Sequence, residues 1–241
     1  MKTFTKFAAL GLTAACLATC FTACKAPVPG GANAHKPSRH EQAIEEKSDR
    51  QLVGGWTTAG STQVTEEQMK YFKEAVSQLN GYYYEPAALL GTQVVSGVNY
   101  VFLCKSTLEA NSAAEPLKYT YIYVNTAGQA TFMGDKSVTL PGADGEQKAG
   151  GWTFAKDPAV TADIQTIVDK ASETRLGAKY EAVAYIGSQV VSGKNHAILV
   201  KTTPVTADAN ASGSFMIITV YENLDGKCEI TETKDVNLNF G

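Results

Sequence analysis

The string QVVSG stands at Gln93–Gly97 and again, letter for letter, at Gln189–Gly193. The same offset of 96 links GGWT at Gly54–Thr57 to GGWT at Gly150–Thr153. It also links Val64-Thr65 to Val160-Thr161, Gly81 to Gly177, and Tyr84-Glu85 to Tyr180-Glu181, with no gap. Farther on, YVNTAG from Tyr123 aligns with YENLDG from Tyr221, an offset of 98 that marks an insertion of two residues. Agreement at one fixed offset over such a span restricts the chain to two copies of one unit. The copies cover residues 52–140 and 150–241. Residues 141–149, PGADGEQKA, join them and reach roughly 30 Å when extended.

Each copy opens on Gly-Gly-Trp and a short strand, and a helix follows. Thr65 predicts an N-cap, with Gln68 completing a capping box in TEEQ and Val64 and Met69 at the staple positions around it. Met69, Phe72, Val76 and Leu79 recur at helical spacing, and Asn80-Gly81 is read as the C-cap. In the second copy Ile164, Ile167, Val168 and Ala171 form the same stripe, Asp163 favours the first turn, and Gly177 is read as the stop. Strands dominate the rest: ALLGTQVV and NYVFLCKST flank the first motif glycine, and KYTYIYV and QATFMG flank NTAG. The second copy repeats this pattern, with LDG as a hairpin turn. The expected fold class is α+β: two tandem domains, each an antiparallel sheet wrapped around one long helix. QVVSG then falls at a hairpin tip. A turn glycine needs no further explanation, but two exposed valines at such a tip suggest a surface that something else covers.

Lys2 and Lys6 followed by FAALGLTAACLATCFTAC predict an export leader, residues 1–24, too short for a convincing membrane span. FTAC resembles the lipobox of bacterial lipoproteins, which implies cleavage before Cys24 and a lipid on it. Cys20, in LATC, is the second choice, and an ordinary cleaved signal peptide is the alternative. Residues 25–51 are rich in Pro, Gly and charge and read as a flexible tether to a cell-envelope membrane. Of the five cysteines only Cys104 and Cys228 then remain in the folded part. One possible pair makes no disulfide framework, and both read as small apolar strand residues. Net charge of −3 with no long basic run argues against a nucleic-acid partner. No metal-ligand spacing, nucleophile elbow or phosphate loop is visible, so no enzyme, metal or cofactor is expected. His196, whose counterpart is Tyr100, reads as a packing residue, and Asp163, Asp169 and Glu173 as a solvated helix face.

On Gln93, Val95 and Gly97, on Gln189, Val191 and Gly193, and on LVGG at Leu52–Gly55, the chain resembles the cystatins, inhibitors of papain-like cysteine proteases. The resemblance implies a wedge of N-terminal trunk and hairpin loops that fills the protease cleft without presenting a peptide bond for attack. It implies a protease-binding set of Leu52, Val53, Gly54, Gly55, Gln93, Val94, Val95, Ser96 and Gly97. In the second copy the set is Gly150, Gly151, Gln189, Val190, Val191, Ser192 and Gly193. Many cystatins carry Pro-Trp on a second hairpin. Here the corresponding turns, Asn125–Gln129 and Asn223–Lys227, have no tryptophan, and Trp56 and Trp152 beside the trunk glycines are read as core. The second copy has Lys148-Ala149 where the first has Leu52-Val53, so the first copy is expected to inhibit more tightly. A non-inhibitory binding or adaptor module on the same lipid anchor is the other reading.

Overall fold

A threonine begins each helix. Thr65 accepts the Gln68 amide and Gln68 returns a bond to the Thr65 amide, closing the capping box, and Thr161 caps the second helix through the Ile164 amide. The computed structural model describes residues 54–108, 115–140, 151–206 and 212–239. The first repeat runs β1 (Trp56–Thr58), α1 (Glu66–Val76), β2 (Tyr82–Val95), β3 (Gly97–Leu108), β4 (Lys118–Val124) and β5 (Ala130–Ser137). The second runs β6 (Thr153–Phe154), α2 (Ala162–Ser172), β7 (Ala178–Val191), β8 (Gly193–Pro204), β9 (Ser214–Glu222) and β10 (Cys228–Asp235). Each repeat makes one antiparallel sheet, in order β1-β2-β3-β4-β5 and β6-β7-β8-β9-β10.

The expectation of an α+β fold with each sheet wrapped around a long helix is wrong. The described residues are mostly β, ten strands to two helices of 11 residues each. An 11-residue helix is about 16 Å long, whereas the 14-residue β2 and β7 each run about 46 Å. A helix of that length covers about a third of its sheet. α1 stops at Val76 because Ser77 takes the C-cap, its hydroxyl donating to the Glu74 carbonyl at 2.8 Å. Asn80 and Gly81 therefore lie past the helix, and Gly81, at φ +88°, turns the chain into β2. α2 likewise ends at Ser172, well short of Gly177.

What covers the rest of each sheet is the other sheet. In β3, Phe102 and Cys104 face α1, while Val101 and Leu103 face away from it. In β8, Ile198 and Val200 face α2, while Ala197 and Leu199 face away. The outward four join Leu90, Leu117, Ile186, Phe215 and Ile217 in a single core drawn from both repeats. The layers are thus helix, sheet, sheet, helix. Each fully buried leucine contributes about 1.5–3 kcal/mol relative to exposure. Trp56 and Trp152 pack at the margin of this shared core, Trp56 edge-on to Tyr121 at 6.0 Å.

The two sheets run in opposite senses. Lys201 in β8 donates to the carbonyls of Ala59 (2.7 Å) and Gly60 (2.5 Å) in the other repeat. Ala59 is bonded to Leu90, five residues from Val95, whereas Lys201 pairs with Glu181, ten residues from Val191. Leu238, past the far end of β10, lies against Gly91, four residues from Val95. The near-tip part of one repeat therefore meets the far part of its neighbour, and the two QVVSG tips point to opposite ends of the sandwich.

Candidate functional site

QVVSG is a hairpin tip in both repeats. Val95 pairs with Gly97 and Val191 with Gly193, leaving Ser96 and Ser192 as single bend residues. The glycines have φ +131° and +121°, a region that side chains rarely adopt. A Cβ on Gly97 would run into the Val124 carbonyl oxygen and the Tyr123 ring, and one on Gly193 would meet the Glu222 oxygen at 2.5 Å and the Tyr221 ring. Both tyrosines reach over the tip: Tyr123 donates its hydroxyl to the Ser96 carbonyl, and Tyr221 donates to that of Ser192 at 2.5 Å.

The motif glutamine is a brace. Gln93 accepts from the Asn99 side-chain amide at 2.8 Å and donates to the Gly54 carbonyl at 2.7 Å. Gly54 in turn donates to Val94 at 3.2 Å, and β1 pairs Trp56 with Gln93. The first trunk is thereby fastened to the hairpin it precedes. In the second repeat Gln189 accepts from Asn195 at 2.8 Å. Gln93, Gly97, Gln189 and Gly193 thus shape the tips, and the side chains left for contact are the valines. Val95 is 38 % exposed, Val191 41 % and Val190 72 %, whereas Val94 is half-buried. Ser96, Ser192, Gly54, Gly55 and Gly151 are exposed or half-buried at the same ends. Leu52, Val53 and Gly150, like Cys24, the tether and the linker, lie outside the described residues.

Beside each tip sits the turn that joins the last two strands. Asn125 accepts the Ala127 and Gln129 amides through its side-chain oxygen, and Asn223 accepts those of Asp225 and Lys227. The two turns share a frame and differ at the apex. The second presents Leu224, 85 % exposed, at the same end of the sheet as Val190 and Val191; the first has Thr126 at that position. The sequence pointed to neither Leu224, Asn99 and Asn195, nor Tyr123 and Tyr221 as tip residues. Running the repeat past the glycine to QVVSG-x-N, and on to the tyrosine at offset 98, would have found all but the leucine.

Below the second tip lies a polar triad with no equivalent in the first. Buried His196 sits between the Tyr185 hydroxyl (3.2 Å from Nδ1) and the Glu222 carboxylate (3.1 Å from Nε2). Burial lowers the imidazole pKa below its ordinary value, and the Glu222 carboxylate opposes that shift. The first repeat has Tyr100, Leu89 and Val124 in these places. His196 itself is buried, Tyr185 is half-buried and the Glu222 side chain is 31 % exposed. Cys104, buried against α1, has its thiol pushed up to about 12 by burial, which leaves it unreactive. Among the described residues no group of three or more His, Cys, Asp or Glu side chains could hold a metal ion. No protein-family model matches the chain, and no curated protein matches it.

Proposed function

We propose that the chain inhibits papain-like cysteine proteases by seating its hairpin tips in the protease cleft. The observation that carries this reading is the second tip. Val190, Val191 and Leu224 hold three apolar side chains in solvent at one end of a sheet, on loops pinned by Tyr221 and Asn223. Apolar side chains held out by a rigid frame favour a contact surface over a mere chain reversal. A frame already in its bound shape loses little conformational entropy on docking. Leu224 stands where the cystatin resemblance implies an aromatic anchor, and burying it would add about 1.5–3 kcal/mol. This weighs towards the second repeat as the tighter inhibitor, the reverse of the order that Leu52 and Val53 suggested.

The reading also has the chain exported and held at the cell envelope by a lipid on Cys24, for which mass spectrometry of the N-terminal peptide is the check. Papain activity titrated with the chain tests the inhibition itself. Inhibition that weakens at least tenfold on Leu224→Asp, with the fold intact, supports it. A folded chain that leaves papain fully active at every concentration favours the second reading, a non-inhibitory binding module. The threonine apex of the first turn, which offers no large apolar anchor, speaks for that reading.

A further inference from the structure

We infer that one chain seats two protease molecules at once, one at each end of the sandwich, as a rigid bivalent body. This rests on the inhibitor reading and adds to it the geometry of engagement. β2 and β7 cross near Ala87 and Val183, which line one cavity of about 410 Å³ at the seam. Each of these residues is eight positions from its own tip, at Val95 and Val191. At about 3.3 Å per residue the tips therefore stand roughly 50 Å apart and face away from each other.

The described seam contact nearest a tip is at the base of the first, where Asn239 lines one cavity with Gln93 and Asn99; the others lie farther back. Lys201 meets Ala59 and Gly60, Leu238 meets Gly91, and Lys234 donates to Thr139 at 2.5 Å. None of them covers Val95, Val190, Val191 or Leu224, all of which are exposed. A globular partner of about 220 residues has a radius of gyration of about 17 Å, so two such partners at opposite ends do not collide. The shared core removes the hinge that a pair of loosely strung domains would have. Both tips cannot bend round into one cleft, so the arrangement bridges two partners rather than clamping one.

Sedimentation of the full chain with papain blocked at its catalytic cysteine decides the matter. Two papain molecules per chain at saturation are expected. Val95→Asp, or Val190→Asp with Val191→Asp, should each leave one, and the three together none. These side chains are exposed, so unchanged thermal midpoints are expected. Val95→Ser serves in place of Val95→Asp should the latter unfold. One papain per chain in the unsubstituted protein overturns bivalency and leaves inhibition standing. Two that survive substitution at either end overturn the assignment of the tips. No papain bound at all removes the inhibitor reading and this inference with it.

Discussion

At the first tip Tyr123 holds the Ser96 carbonyl, Asn99 holds Gln93, and Gly97 leaves room for the Val124 carbonyl. At the second, Tyr221, Asn195 and Gly193 do the same for Ser192, Gln189 and Glu222. Around these matched frames Val95 and Val191 are alike in exposure, and several neighbours differ. Half-buried Val94 answers to 72 %-exposed Val190, Thr126 to Leu224, and the Leu89–Tyr100–Val124 packing to Tyr185, His196 and Glu222. The glutamine and glycine kept in both copies satisfy or make room for backbone groups at a bend with one residue between paired strands, and the valines kept with them are what the frames hold out for contact. The residues that vary either add to that surface, as Leu224 does, or fill space beneath the bend. Retention of QVVSG in both copies is therefore a statement about hairpin construction and the valines it holds out, and specificity lies in its neighbours.

The comparison breaks most visibly if the repeats prove to be separate folding units. Leu103→Ala and Leu199→Ala each empty a fully buried position of the common core and should cost about 3 kcal/mol. Denaturant unfolding should show one transition in both variants, with the two sheets lost together. Two transitions, with only the substituted repeat shifted, would contradict the shared core. Next in size is the tip glycine. Gly97→Ala and Gly193→Ala force a side chain into positive φ and against a carbonyl, and each should lose about 2 kcal/mol by the same measurement. A marked inequality between the two would show that the frames are less alike than their hydrogen bonds. The tyrosine braces come third: Tyr123→Phe and Tyr221→Phe should each cost about 1 kcal/mol, the usual net worth of one hydrogen bond.

The smallest effect separates the repeats instead of equating them. His196 is harder to protonate in the folded chain than in the unfolded one, so the unfolded state takes up more protons below the ordinary value of 6.5. Stability from this group is complete above that pH and is lost as pH falls through the folded value. Thermal midpoints followed between about pH 5 and 8 should decline on the acid side. His196→Gln, which keeps an amide donor for Glu222, should flatten that decline. A decline unchanged in His196→Gln would place its origin elsewhere, in groups common to both halves.

Much of this was legible in the residues. The Thr65 capping box, the α2 stripe Ile164, Ile167, Val168 and Ala171, and the position of the motif glycine at a bend all follow from local chemistry. The inter-sheet core does not. Its trace is in the runs VFLC at Val101–Cys104 and AILV at Ala197–Val200, where successive residues are buried on both faces of the sheet. Such runs say that a strand is covered twice. They do not say whether the second cover is a longer helix, a partner or the other half of the same chain. The early end of α1 was equally hidden, because the apolar spacing continues to Leu79 while the Ser77 cap has already taken the Glu74 carbonyl. Leu224 was passed over because an isolated leucine beside Asp-Gly carries no periodic signal.

The common interior also bears on how such a chain could arise. A half ending after Leu140 would keep the packing under α1 and leave Val101, Leu103, Leu117 and Tyr121 as a bare greasy wall. Its nearest remedy is another half of the same kind, docked face to face about a two-fold axis. Joining the two in tandem turns an association that depends on concentration into one that does not. It also lets the two ends drift apart in sequence, which two copies of a single short chain could never do.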